Sequence, residues 1–348
     1  MSTFIMRFFT SLAIFTLGFW PTNILSPPKD KLDKIVIGIV ETTGKYYQSE
    51  IHWYDESLNE VYKTKLPYAA LGTHFRKPFY LDNEIYMIPK GTGVLYDPNI
   101  VISINLKNLK VKAYPFNNWD YNDVVAIDDS IYTVCTLPLD TYIEKYNKKS
   151  KNNKIITLDK AYIYSMYACN NRIFAFTKKY YDGIDKLELN IFDKDLNLLK
   201  NIQLHEYTTS SYKYYEDDKY IYTVISSDKK NAGILKINKF DYSMNIIADV
   251  GKDSDTIYHY NDKFIVTEFD PLYSEGDIIN ILDEEGKTID RKHLGNTLRL
   301  TGIYKDKFIE CDGEKIRLYN LNNFELITER IITKDIRDYS YMTSLIIR

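Results

Sequence analysis

Short runs of alternating apolar and polar residues, separated by polar turns, recur along most of the chain. In "YHYNDKFIVTEF" (258–269), the turn Asn261-Asp262-Lys263 lies between two runs rich in aromatic and β-branched residues. This pattern is typical of a tight β-hairpin. Similar segments begin at residues 79, 125, 166, 214 and 302: "FYLDNEIYMI", "VAIDDSIYTV", "MYACNNRIFAF", "YYEDDKYIYTV" and "GIYKDKFIE". The sequence therefore predicts a repeated hairpin.

A second segment follows each hairpin: an alternating run, an Asn/Asp-rich turn and another alternating run. Six copies are clear: "IHWYDESLNEVYKTKL", "IVISINLKNLKVKAYPF", "LELNIFDKDLNLLKNIQL", "ILKINKFDYSMNIIADV", "INILDEEGKTIDRKHL" and "IRLYNLNNFELITERI". A seventh copy, "YIEKYNKKSKNNKIITL", is more polar. Hairpin and second segment together predict units of four antiparallel strands, which we name A to D. A repeat of about 40 to 50 residues indicates a propeller or a solenoid.

The two ends of the chain complement each other. Six complete units are predicted at 69–115, 116–158, 159–205, 206–250, 251–296 and 297–333, and the segment before them supplies strands B, C and D only. The last residues, "RDYSYMTSLIIR", predict a strand A that lacks the other three strands of its unit. A closed ring pairs these fragments and leaves no open junction, which favours a propeller over an open solenoid. We predict an all-β, seven-bladed β-propeller closed by the C-terminal strand joining the first blade.

These units resemble those of the seven-bladed propeller superfamilies, such as the YVTN-repeat and quinoprotein amine dehydrogenase-like groups. The resemblance covers about residues 35–348 and lacks the Gly-His and Trp-Asp signatures of WD40 repeats. It implies an architecture but no activity, because propellers carry many unrelated functions.

The amino terminus predicts export. "MSTFIMRFFTSLAIFTLGFW" has one charge, Arg7, before an uncharged run from Phe8 to Trp20, as in a signal peptide. Its cleavage site is unclear, so the segment is expected either to be removed or to remain as a membrane anchor. We divide the chain into residues 1–32, the export signal or anchor with a Pro-rich linker, and residues 33–348, the propeller. An extracytoplasmic protein, secreted or anchored to the membrane, is expected.

The composition of the chain argues against several classes of function. The formal net charge is −3, with 45 Lys and Arg against 48 Asp and Glu spread along the chain, so no basic field for nucleic acid is expected. Cys135, Cys169 and Cys311 lack metal or redox spacing and are expected to be buried in strands. We expect no cofactor, no metal site and a monomer.

Candidate binding residues lie on loops. In a propeller the B to C and D to A connections share one face, and here several of them carry aromatic residues, although 32 Tyr in the chain make loop tyrosines common. We predict that this face binds a protein or a glycan at the cell surface, without enzymatic activity. The candidate residues are Tyr47, Tyr96, Trp119, Tyr181, Tyr273 and His74.

Three alternatives stay open. Asp120, Asp123, Asp255 and Asp338 stand near the start of predicted A strands and suggest a carboxylate-lined channel for Ca²⁺ or a cationic ligand, or else ordinary turn residues. A zinc site would need His74, His205 and His259 to converge from three blades. A propeller enzyme, a lyase, cyclase or glycosidase acting on an extracellular substrate, is the competing function, although no nucleophile elbow, phosphate loop or HExxH motif is present.

Overall fold

A computed structural model describes most of the chain. The described residues are 27–44, 48–72, 76–89, 99–118, 120–136, 140–181, 184–204, 206–227, 230–251, 253–270, 273–336 and 339–348. They form a short helix, α1 (Lys29–Leu32), and the strands of seven sheets. No helix within these ranges combines the length and the apolar content needed to cross a bilayer.

The strands follow one another in units of four. In chain order they are β1 (Ile37–Thr43), β2 (Ser49–Tyr54), β3 (Glu60–Leu66), β4 (Phe79–Leu81), β5 (Glu84–Met87), β6 (Ile100–Asn105), β7 (Val111–Pro115), β8 (Tyr121–Ile127), β9 (Ser130–Thr136), β10 (Asp140–Asn147), β11 (Asn153–Asp159), β12 (Ala161–Cys169), β13 (Arg172–Tyr181) and β14 (Ile184–Asp193). The second half contains β15 (Leu198–Leu204), β16 (Thr209–Glu216), β17 (Tyr220–Ser227), β18 (Lys230–Asn238), β19 (Met244–Val250), β20 (Ser254–Tyr260), β21 (Lys263–Glu268), β22 (Ile278–Asp283), β23 (Thr288–His293), β24 (Leu300–Tyr304), β25 (Lys307–Cys311), β26 (Lys315–Asn320), β27 (Leu326–Ile331) and β28 (Ser340–Ile347).

Seven four-stranded antiparallel sheets form the blades of a propeller. Six blades are consecutive, from β4–β7 to β24–β27, whereas blade 1 has the order β28-β1-β2-β3. The C-terminal strand therefore serves as the inner strand of the first blade, which confirms the predicted fold. The boundary between residues 32 and 33 stays a prediction, and α1 lies within the segment expected to be a linker.

Pairing of β1 with β28 closes the ring. The pairs extend from Ile37 opposite Ile347 to Thr43 opposite Ser340, with one irregularity at Val40/Glu41. The last residue extends the closure: the Arg348 guanidinium donates to the carbonyl oxygens of Leu32 and Ile35, the latter at 3.0 Å, and its Nε donates to Leu106 O at 2.5 Å. The C-terminal residues thus join blades 1 and 2 as well as the two ends of the chain.

The A to B turns confirm the repeated hairpin. In the segment 258–269, Tyr260 pairs with Lys263, so the turn contains only Asn261 and Asp262, and Lys263 is the first residue of β21. Both turn residues have positive φ, 47° and 58°, as a type I′ turn requires. Asn and Asp tolerate this conformation better than most residues, which explains their recurrence in these turns.

Each C to D turn places one residue in the left-handed region. Three of these turns begin with Asp and four with Asn, and the side chains of Asp55 and Asn147, for example, accept hydrogen bonds from backbone N–H groups two residues ahead. A left-handed conformation costs about 1–2 kcal/mol for a residue other than Gly. Burial of a large apolar side chain offsets that cost. The left-handed residues are Leu58, Leu109, Lys151, Leu196, Tyr242, Gly286 and Phe324.

The hydrophobic core lies in the seams between blades. Apolar clusters fill every seam. The buried residues of the C to D turns pack against the preceding blade. Leu58 of blade 1, for example, lies in the cluster that includes Ile309 and Leu318 of blade 7. The closing seam is therefore packed like the other six. As expected, the three cysteines are buried, in β9, β12 and β25.

We predict that truncating the closing strand destabilises the whole ring. Ile346 in β28 is fully buried, so Ile346→Ala should lower the free energy of unfolding by about 2–5 kcal/mol. Ile331→Ala on the outer strand β27, where the side chain is 70% exposed, should change it by less than about 0.5 kcal/mol. Urea denaturation measures both values, and equal small effects would contradict a packed closing seam.

Candidate functional site

Backbone irregularities cluster at one end of the inner strands. Register shifts interrupt the pairing near the amino-terminal ends of β8, β12, β16 and β20, and a fifth interrupts the pairing of β28 with β1. A β-bulge turns a side chain away from the regular alternation, and bulges are frequent near binding sites. The D to A loops join the inner strands at this end, so the bulges aim side chains into the mouth of the axial channel.

A cleft at this mouth is lined by side chains from four blades. Its lining residues come from the segment before β4 in blade 2, from β16 in blade 5, from the start of β24 and the residue before it in blade 7, and from β28 in blade 1. Blade 5 can meet the other three blades only at the ring axis. Its empty volume, open to solvent, is about 240 Å³. A second cleft of about 360 Å³ shares Arg76 and Lys77 with it. Both suit one charged group of a ligand better than a whole ligand.

The axial cleft is cationic. Among its described lining residues, Arg76, Lys77, Lys213 and Arg299 are cations and none is acidic; the others are Leu300, Thr301 and Leu345. Two carboxylates, Asp123 and Asp255, lie beside these cations, so the positive charges outnumber the negative ones. We name the four cations and the space between them the axial cation cluster.

Asp123 fixes Arg76 at one side of the axial cation cluster. Its Oδ1 lies 3.4 Å from Arg76 Nη1, and its oxygens accept the N–H groups of Val124 at 2.9 Å and Met166 at 2.7 Å. Burial raises the pKa of Asp123, against the lowering effects of Arg76 and of the two backbone donors. Arg76 Nη2 also donates to Tyr164 O at 3.1 Å. This arrangement holds the arginine side chain against blades 3 and 4.

A bulge in β16 positions Lys213. The pairing of β16 with β17 shifts between Ser210 and Tyr214, and the side chain of Lys213 forms an ion pair with Asp255 of β20. Ser211 supports the bulge, because its Oγ accepts the N–H of Lys213 at 3.0 Å and donates to Asp255 O at 2.5 Å. Lys213 is only 4% exposed, so its ammonium group is aimed across the seam rather than into bulk solvent.

Lys77 and Arg299 have fewer charge partners. The Lys77 ammonium lies 3.9 Å from the centre of the Tyr258 ring, and burial, followed by repulsion from Lys213, lowers the pKa of Lys77 to about 7. Arg299 Nε is buried and has no hydrogen-bond partner among the described residues. A buried donor without a partner is costly, and an anionic ligand would supply the missing acceptor.

This charge distribution corrects the carboxylate-channel alternative. Asp123 and Asp255 are engaged by Arg76 and Lys213, Asp120 is an exposed turn residue with φ 56°, and Asp338 lies outside the described residues. Within the described part of the chain, the channel mouth has the polarity of an anion site. The convergence expected of an acid-lined cation site is not observed there.

Most of the predicted binding residues lie outside the described residues. This applies to Tyr47, His74, Tyr96 and Trp119, and Tyr181 ends β13 without a described side chain. Tyr273 is 74% exposed on the B to C loop of blade 6. Tyr273, the one of the six whose side chain is described, does not line either cleft, and the other five stay predictions.

The described residues do not test the zinc alternative. His259 stacks on Tyr215 with ring centres 5.2 Å apart, whereas His74 and His205, its proposed zinc partners, lie outside the described residues. The loop that carries Trp119 is held by Glu144, whose carboxylate accepts the N–H groups of Asn117 at 2.8 Å and Asn118 at 3.2 Å.

The sequence analysis missed the four residues of the axial cation cluster. Cations stand at or just before predicted A strands in "THFRKPFY", "SSYKYYE" and "NTLRLTG". Summed with Asp120, Asp123, Asp255 and Asp338, the four cations give no net charge, so the charges along the sequence do not by themselves indicate an anion site.

Comparison with known proteins supports the architecture. No protein-family model matches this sequence, and no curated protein matches it. Similar solved structures include a protein from Bacteroides uniformis that carries a provisional assignment as a 6-phosphogluconolactonase, with 12% identity over 86% of this chain and 97% of that one and a TM-score of 0.58. A functionally unknown protein from Desulfotomaculum acetoxidans has 12% identity over 84% and 95% of the two chains and a TM-score of 0.56. The dihydro-heme d1 dehydrogenase NirN, in complex with DHE, has 10% identity over 92% and 77% and a TM-score of 0.56.

At these identities the likeness shows the fold alone. Fold and site together define a seven-bladed β-propeller with a cationic cleft at its axis, and the resemblance to the propeller superfamilies is confirmed at the level of architecture.

We predict that Lys77 titrates near neutral pH. In protein with ¹³C-dimethylated lysines, the Lys77 resonance, assigned by its loss in Lys77→Arg, should titrate with a midpoint near pH 7. Tyr258→Leu removes the ring that stabilises the charged form, so it should lower that midpoint further. A wild-type midpoint above about 9 would contradict the burial of this amine.

Proposed function

We propose that the protein is a non-catalytic binding module that captures an anionic group of a partner in the axial cleft. The observation that carries this proposal is the convergence of Arg76, Lys77, Lys213 and Arg299 from three blades with fewer carboxylates among them. Guanidinium and ammonium groups recognise carboxylates and phosphates by charge-assisted hydrogen bonds. The size of the two clefts suits one such group, and recognition of the rest of the partner would fall to the loops around them.

The export prediction gives this proposal its setting. An extracytoplasmic binding module would meet anionic groups on acidic glycans and on proteins at the cell surface, and Tyr273 offers an exposed aromatic side chain on the same face. We therefore retain a protein or a glycan as the partner, with recognition divided between the axial cleft and the loop face.

The competing function, a propeller enzyme, has less support among the described residues. A glycosidase needs two carboxylic groups that are available to a substrate, whereas Asp123 and Asp255 are tied to Arg76, Lys213 and backbone donors. The lowered pKa of Lys77 is the one feature at the cleft that would also suit chemistry, and product formation from a bound probe would favour the enzyme instead.

We predict that Arg299→Gln weakens anion binding at least tenfold. The test measures, by calorimetry at low salt, the affinity for an oligosaccharide bearing uronate groups, for an acidic peptide and for inorganic phosphate. The neutral oligosaccharide and the amidated peptide are the reference ligands. Arg330→Gln, the same change at an exposed arginine of β27, should leave the affinity unchanged. Equal affinity in wild type and Arg299→Gln, or no binding of any anionic probe, would reject the axial site.

Binding of the uronate oligosaccharide, whose charge is constant between pH 6 and 8, should weaken as pH rises through about 7. Lys77 loses its proton there, and the cleft loses one positive charge. In Lys77→Met the affinity should be lower at pH 6 and should no longer fall between pH 6 and 8. Calorimetry at the two pH values measures the difference, and an unchanged pH dependence in Lys77→Met would exclude Lys77 from the site.

A further inference from the structure

Three buried polar side chains of blade 1 come together beside the closing seam. Glu41 on β1 lies opposite Glu50 on β2, and His52 lies two residues further along β2. One oxygen or nitrogen atom from each of the three lies within 4.8 Å of those from the other two. Glu41 and His52 are 0% exposed and Glu50 is 1% exposed. We name these residues the seam triad.

The charges around the seam triad do not balance. Four carboxylates meet here, those of Glu41, Glu50, Glu60 and Asp335, and the facing cations are Lys63, which pairs with Glu60 and Asp335, and Lys65, which is 78% exposed and lies 3.5 Å from Glu50. Two negative charges remain if His52 is neutral, and one remains if it is protonated. Uncompensated buried charge is costly, and one divalent cation beside a neutral imidazole would balance it.

Glu50 gives an independent indication of a missing partner. Its Oε1 has contacts with Gln48 Nε2 at 3.4 Å and with Lys65, whereas its Oε2 is buried without a hydrogen-bond partner among the described residues. A buried carboxylate oxygen with no donor is rare in folded proteins. A bound metal ion would satisfy it directly.

The imidazole of His52 has the orientation of a metal ligand. Its Nδ1 lies 3.0 Å from Glu60 Oε2, and its Nε2 points to Glu41 Oε2, also at 3.0 Å. Metal-bound histidines usually donate their second N–H to a carboxylate, which fixes the tautomer and the ring. Glu60 can accept the Nδ1 proton and leave the Nε2 lone pair facing the two buried carboxylates.

We propose that Glu41, Glu50 and His52 bind a divalent transition-metal ion, with Zn²⁺ as the best match. Mixed carboxylate and imidazole ligands suit Zn²⁺, whereas Ca²⁺ and Mg²⁺ prefer oxygen ligands alone. Asp335 lies beside the seam triad, because its backbone N–H donates to Glu41 Oε2 at 3.0 Å, and its carboxylate is held by Lys63.

The site would strengthen the ring closure. Glu41 also accepts the N–H of Ile336 at 3.2 Å, so the seam triad holds the segment that leads from blade 7 into β28. A metal ion bound only by the folded ring adds stability in proportion to the logarithm of its concentration over Kd.

A metal-free explanation makes different predictions. His52 can instead be an imidazolium that donates to both Glu41 and Glu60. Burial acts to lower the pKa of His52, but these two hydrogen bonds raise it above its usual value. In that state Nε2 carries a proton and cannot bind a metal.

The test uses the full chain after dialysis against a chelator. Titration with Co²⁺ should give visible absorption bands at one ion per chain, Zn²⁺ should displace Co²⁺, and Zn²⁺ should raise the thermal midpoint. His52→Gln and Glu50→Gln should each weaken the binding of both ions at least tenfold, and Glu60→Gln should weaken it about 10–100-fold by releasing the imidazole.

Glu144→Gln is the matched control. Glu144 holds the connection into blade 3 much as Glu41 holds that into blade 1, but no histidine is among its described hydrogen-bond partners, so metal binding should persist. Circular dichroism and gel filtration establish that each variant is folded. Absence of Co²⁺ bands and of Zn²⁺ stabilisation in the wild type at millimolar metal, or equal binding by wild type and folded His52→Gln, would overturn the metal site in favour of the imidazolium.

Discussion

The pairing of β1 with β28 is the constraint on which the rest of the molecule depends. Seven backbone-paired residues at each end of the chain replace an open edge by a continuous ring, and Arg348 extends the contact to α1 and blade 2. Closure also builds the site, because Leu345 of β28 lines the axial cleft. A ring that opened at this seam would lose part of its core and part of its cleft together.

Ring symmetry explains why charge accumulates at the axis. Seven inner strands direct their amino-terminal ends toward one small volume, so one or two cations from each of three blades produce a strong local field. Two of the cations are held by Asp123 and Asp255, which gives the cleft a fixed geometry. The seam triad shows the opposite polarity at the ring closure, where buried carboxylates outnumber buried cations. Both features arise where elements distant in sequence meet.

The architecture could be predicted because its signals are local and repeated. Two-residue turns such as Asn261-Asp262 and the C to D turns that begin with Asp or Asn mark the hairpins, and the unpaired fragments at the two ends identify the closing strand.

The axial cation cluster could not be predicted in the same way. Lys213 faces Asp255 only because β16 bulges between Ser210 and Tyr214, and a bulge has no reliable pattern in sequence. Acidic residues near the A strands were recognised, but their cationic partners lie on other blades. Glu41, Glu50 and His52 likewise alternate in ordinary strand patterns, and only the register brings them together.

Hydrogen exchange of the backbone amides in β28 is the most direct test of ring closure. If β28 is the inner strand of blade 1, its amides should exchange as slowly as those of β20, the inner strand of blade 6, and only through global unfolding. Exchange of β28 within seconds while β20 stays protected would show that the C-terminal strand is not part of a closed ring.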